Sequence, residues 1–197
     1  MTSARQGRPA RYPFDELLGI VTAEFIARGY DATSMEDLAR ATGMTKSAIY
    51  HHVSGKEELL RLAVAKAVDA LLAVLEDEAS RSGPAAQRLE HVLRRSAEVL
   101  GEQLPYVTLL LRVRGNTDAE RWALARRREI DRRLAALVQA AIDEGDLRRD
   151  LDPRLVARLL FGMVNSVVEW YRPGRATSSQ DLADALVALA FSGLRAR

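Results

Sequence analysis

From Pro13 to the end of the chain, apolar residues recur at three- and four-residue spacing, and no stretch alternates convincingly with period two. Such a pattern restricts the fold to helices packed on helices. Leu17, Leu18, Val21 and Phe25 share one face of the first segment, which Gly29 stops. Later segments open on recognisable start signals. Ser34 with Asp37 and Ser54 with Glu57 read as capping boxes, and Pro84 suits a first helical turn. Thr117 with Glu120, Asp152 before Pro153, and Ser178 with Asp181 open three more. The spacing predicts about nine helices, at roughly 13–28, 34–42, 45–53, 56–78, 84–102, 104–113, 117–145, 152–171 and 178–195. With only six prolines and an apolar set dominated by Ala and Leu, the expected class is all-α.

At 197 residues the chain is long enough for a small domain fused to a larger one. Its 48% hydrophobic and 28% charged residues are an ordinary globular mixture. The absence of cysteine excludes disulfides, thiolate metal sites and cysteine nucleophiles. Apolar runs are short and broken by charge, and the first twenty residues carry no signal-peptide pattern, so a cytoplasmic protein without membrane contact is expected. The three histidines, His51, His52 and His91, have no metal-ligand spacing. Phosphate loops and nucleophile elbows are missing, so neither an enzyme nor a cofactor is expected.

The net charge of +2 is too mild to announce nucleic-acid binding, and residues 1–60 hold seven Lys and Arg against eight Asp and Glu. The distribution says more. Between Asp37 and Glu57 lie nineteen residues without a carboxylate, among them Arg40, Lys46, His51, His52 and Lys56. Two short helices joined by "ATGMT" within Ser34–Val53 fit a helix–turn–helix, whose second helix enters the DNA major groove. Ile49 and Val53 fall on its inner side. Ser47, Tyr50 and His51 point the other way, with Lys46 and Ala48 near the leading end. Lys46 and Ser47 can donate to base edges or phosphates, and Ala48 can touch a thymine methyl. Tyr50 and His51 can hold phosphates, and Lys56, beside free helix N–H groups, makes an anion site. A carboxylate on this face would oppose the phosphates. Residues 1–12, with Arg5, Arg8 and Arg11, read as a flexible basic arm, either merely solvated or touching DNA.

The stretch "GYDATSMEDLARATGMTKSAIYHHVSGKEELL" closely resembles the DNA-binding region of the tetracycline-repressor (TetR) family of transcriptional regulators. The resemblance rests on Gly29-Tyr30, Thr33-Ser34, Leu38-Ala39, Gly43, Thr45-Lys46-Ser47, Ile49-Tyr50-His51-His52 and Ser54 through Leu59. It implies a homodimer on a near-palindromic double-stranded operator, released by a small-molecule effector. It adds Ser34 and Thr45 to the candidate DNA contacts. The expected domains are a helix–turn–helix domain over 13–56 and an effector-binding and dimerisation bundle over 57–197. Val53 stands where the family more often has Phe, Glu24 where it has an apolar residue, and Ala48 where Thr or Gly is frequent.

The effector half is less explicit. In 117–145, Arg121, Arg128 and Arg132 lie opposite the apolar stripe, but Arg126 and Arg127 project within its arc. An inward guanidinium needs an anionic partner, from the protein or from a ligand. Tyr106, Trp122, Arg126, Arg127, Asn165 and Glu169 are the candidate effector residues. The stripe Arg158, Asn165, Ser166 and Glu169 lines either a pocket or a dimer seam. By resemblance, the last two helices form the dimer interface, through Phe161, Met163, Val167, Trp170, Leu182, Leu186 and Phe191. "VVEWYRPGR" resembles the same region in TetR-type repressors of fatty-acid, aromatic-acid and sterol catabolism. That implies an acyl-CoA effector, beside the alternative of a generic hydrophobic one. The competing functions are an activator without induction and an interaction module that keeps the fold.

Overall fold

The computed structural model describes residues 13–174 and 177–194; the basic arm at 1–12 lies outside the described residues. Among the described residues there are ten α-helices and no strand. A small head comprises α1 (Phe14–Arg28), α2 (Met35–Thr42) and α3 (Lys46–Tyr50), packed against the start of α4 (Lys56–Glu76). The body contains the rest of α4, α5 (Glu78–Arg81), α6 (Ala85–Glu102), α7 (Leu104–Arg112), α8 (Asp118–Asp143), α9 (Pro153–Ser166) and α10 (Ser179–Leu194).

Local chemistry sets the boundaries. Ser34 caps α2 by accepting from the Asp37 N–H at 3.2 Å, while the Asp37 carboxylate accepts from the Ser34 N–H at 3.0 Å. Gly43 ends that helix in the left-handed region, with φ 65°, where a side chain would be strained. Thr45, Thr117 and Asp152 cap α3, α8 and α9 through their side chains, and Ser178 with Asp181 closes a capping box on α10. Two expectations shift. Ser54 pairs with Glu58 rather than Glu57, its N–H and hydroxyl donating to one carboxylate oxygen at 2.5 and 2.6 Å, because Gly55 and not Ser54 stands at the cap of a helix that begins at Lys56 as expected. The expected run to residue 78 ends at Glu76. Asp77 breaks it, and the buried Ser80 hydroxyl folds back to donate to the Val74 carbonyl at 2.5 Å, which sets off the additional helix α5. The expected 152–171 segment ends as a 3₁₀ turn, Val167–Glu169.

Leu38 and Ile49 are fully buried, and together with Leu17, Leu18, Val21 and Phe25 they form the head core. One such Leu or Ile side chain contributes about 1.5–3 kcal/mol relative to exposure. In the body, α6 runs centrally, against α10, α8, α4, α5 and α9. α4 passes from head to body, burying Ala63, Val64, Ala67 and Val68. No described helix is long and apolar enough to cross a membrane.

Candidate functional site

Burial of Ile49 and Val53 fixes the rotation of α3. Lys46, Ser47, Tyr50 and His51 are therefore exposed together and Ala48 is half-buried, as the helical wheel predicts. Tyr50 is 50% exposed, a large ring held out into solvent. The Thr45 hydroxyl accepts from the Ala48 N–H at 3.1 Å, so it sets the start of the helix. The Ser34 hydroxyl is similarly engaged, donating to Asp37 at 2.6 Å. That hydroxyl, then the Ser34 N–H, hold the Asp37 carboxyl down at about 2.

Two lysines sit differently from the sequence expectation. Lys46 is paired with Glu36, which reaches across the helix–turn–helix from α2. The bond lowers the Glu36 carboxyl and raises the Lys46 ammonium. The acid-free window in sequence is thus met by carboxylates from outside it: Glu36 on Lys46, Asp37 on Arg40 and Glu58 on Ser54. Lys56 turns away from α3: its ammonium donates to the Tyr30 carbonyl at 2.9 Å and lies 4.2 Å from the centre of the Tyr30 ring. It clamps the α1–α2 turn onto α4.

Polar and cation–π contacts among the described residues join head to body, beside the packing of α1 on α7. The Glu57 carboxylate accepts from the Ala119 N–H at 3.0 Å, in the first turn of α8. Arg61 stacks over Trp122 at 5.1 Å, and Lys66 pairs with Asp15 at 2.8 Å while facing the Tyr106 ring at 5.2 Å. Arg112 donates to the Ile26 carbonyl at 2.6 Å. The structure places Tyr106 and Trp122 in this seam. Glu57 and Arg112 were not among the sequence candidates, and no short-range signal links them to partners 62 and 86 residues away.

The other effector candidates divide. Arg126 is exposed, not inward, because its long side chain turns along α8 to pair with Glu129 at 2.8 Å. Glu169 is exposed. Arg127 and Asn165 do come together, with Asp131, Leu110 and Phe161, around a cavity of about 30 Å³, with an Arg127 N–H 3.4 Å from the Leu110 carbonyl. That is room for about one water molecule.

Of the residues expected at a dimer seam, Phe161, Val167, Leu182, Leu186 and Phe191 are buried within the protomer, Met163 is half-buried and Trp170 is exposed. α10 packs on α6 and buries Leu182, Leu186 and Phe191 within the protomer, which periodicity could not assign. The exposed apolar residues on these two helices are instead Leu155, Leu159 and Leu189, at 54%, 60% and 72%. With Met163 they border a shallow groove of about 270 Å³ between α9 and α10.

Residues 22–63 match the family described as bacterial regulatory proteins, tetR family, and residues 82–194 match the tetracyclin repressor-like C-terminal domain. The chain is similar to the HTH-type transcriptional repressor KstR2 of Mycobacterium tuberculosis, at 27% identity over 187 residues and 91% of each chain. It is 29% identical over 175 residues to the HTH-type transcriptional regulator TcmR of Streptomyces glaucescens, covering 83% of this chain and 75% of that one. Among solved structures, SCO3833, a TetR-family member from Streptomyces coelicolor A3, is 55% identical and superposes with a TM-score of 0.87 over 96% of this chain and 94% of the other. The two matched segments carry the helix–turn–helix and most of the helical body described above, and the chain belongs to the tetR family of bacterial regulatory proteins.

Proposed function

We propose that the protein is a homodimeric repressor that grips a near-palindromic operator with α3 and is released by a small apolar or acyl-CoA-type effector. The observation that carries this reading is the outward face of α3, where Lys46, Ser47, Tyr50 and His51 stand exposed around a buried Ile49. A phosphate approaching Lys46 displaces Glu36, exchanging one exposed ion pair for another. The apolar groove between α9 and α10 supports pairing with a second copy, because exposed leucines cluster there. The repressor KstR2, whose solved structure is named a ketosteroid transcriptional regulator, supports repression and an apolar effector. Arg127 and Asn165 would supply that effector's polar contacts. A cavity of about 30 Å³ accepts an acyl or steroid-sized body only after α7, α8 and α9 part. The effector therefore selects a different body conformation, and DNA must weaken effector binding by the same factor. Such a regulator works in the cytoplasm, on chromosomal DNA.

Fluorescence anisotropy with duplex from upstream of the protein's own gene, against scrambled duplex, tests the reading. Selective binding is expected, with Tyr50→Ala weakening it by at least tenfold. Lys46→Ala should flatten the slope of log affinity against log salt by about one, whereas Glu36→Gln should tighten binding a few-fold. Equal, weak binding to both duplexes would overturn the proposal.

A further inference from the structure

A further cavity lies apart from the one beside Arg127 and Asn165. It has a volume of about 750 Å³ and lies where head meets body, between the end of α1, the α1–α2 turn, the end of α7 and the loop leading to α8. The two cavities share only Leu111. We propose that this junction binds an amphipathic monocarboxylate, an apolar chain or ring system bearing one carboxylate, independently of any ligand in the body core.

Apolar wall and charged rim are both present. Phe25, Ile26, Leu109, Leu111 and Val113 supply the wall, and Arg28, Arg112 and Arg114 stand at the edge. Arg28 is already held by Glu24 at 2.9 Å and Asp37 at 3.4 Å. Arg112 makes one bond, to the Ile26 carbonyl, and Arg114 is exposed with no hydrogen bond or ion pair to the described residues. On the acidic side, the buried Glu120 carboxylate is occupied by the N–H groups of Gly115 and Asn116, at 2.9 and 2.6 Å. Those neutral donors leave Glu120 charged, so Asp31 and Glu120 are the two opposing carboxylates of the lining. Across the lining three guanidiniums face two carboxylates, a surplus of one positive charge that favours a singly charged anion over a doubly charged phosphate. The size, within the range of about 300–1,000 Å³ usual for small-molecule sites, calls for more than a bare ion. A guanidinium fork on a carboxylate is the strong form of such a contact. The occupant's carboxylate would compete with the Ile26 carbonyl for Arg112, and so loosen one of the head–body contacts.

The test is calorimetric titration of the full-length protein with sodium decanoate, below its micelle concentration, beside decan-1-ol. Saturable binding of one decanoate per chain is expected, with decan-1-ol at least tenfold weaker. Arg114→Gln, which removes no contact to the described residues, should weaken decanoate about threefold or more, and Arg112→Gln with Arg114→Gln at least tenfold. Asn165→Leu, which alters only the core cavity, should leave it unchanged. Absence of saturable binding, unchanged affinity in the double variant, or loss of binding on Asn165→Leu would each overturn the proposal. None of these readouts depends on DNA, so the operator reading can fail without touching this one.

Discussion

Asp37 ties the start of α2 together with a single carboxylate, taking the N–H and hydroxyl of Ser34 and lying beside Arg40 and Arg28. Its folded value near 2 lies below the ordinary one of 3.8. A depressed carboxyl contributes stability that is complete above the unfolded value and disappears as pH falls through the folded one. Ser34→Ala is therefore expected to lower the thermal midpoint by about 2–4 °C at neutral pH. The gap between variant and wild type should narrow between pH 4 and pH 2, as followed by circular dichroism. A gap that stays constant over that window would show that Asp37 is not the titrating partner. This device was legible because its members lie three residues apart. The Lys46–Glu36 pair was not, since it forms only when the turn at Gly43 brings α2 and α3 together.

Helix-level features separate in the same way. Start signals act within one turn of chain, and they placed α2, α8, α9 and α10 directly. What each face meets is decided by neighbours far along the sequence. α8 touches α4, α6 and α9, so its wheel could not say whether Arg126 or Arg127 faces inward. Close approach is equally invisible beforehand. A Cβ on Gly101, in the last turn of α6, would lie 2.7 Å from the Ser179 Cβ at the head of α10, an atom that moves only with its backbone. A Cβ on Gly19, within α1, would meet nothing nearer than the Tyr106 hydroxyl at 3.8 Å. Urea unfolding should therefore show opposite signs. Gly101→Ala is expected to destabilise by about 1–3 kcal/mol, and Gly19→Ala to stabilise by about 0.5–1 kcal/mol. Stabilisation by both would mean that α10 does not sit against α6 as described.

For the proposed dimer, the surface to test is the groove bordered by Leu155, Leu159, Met163 and Leu189. A charge placed there should separate two copies without disturbing the protomer core, because Leu159 and Leu189 are largely exposed. Leu159→Asp with Leu189→Asp is expected to sediment as a 21.8 kDa monomer where the wild type sediments as a dimer. An unchanged sedimentation coefficient would place the contact elsewhere.

α4 runs unbroken for 21 residues from the head into the body. At 1.5 Å per residue that is about 30 Å of stiff rod. Rods convert angle into displacement. A tilt of only about 5° about the Glu76 end would carry the Lys56 end sideways by nearly 3 Å. Opposite swings in two copies would add to about 5 Å, against a half-site separation of about 34 Å on B-form DNA. Both recognition helices could not then stay centred in their grooves. A small leverage in the body is enough to spoil the grip.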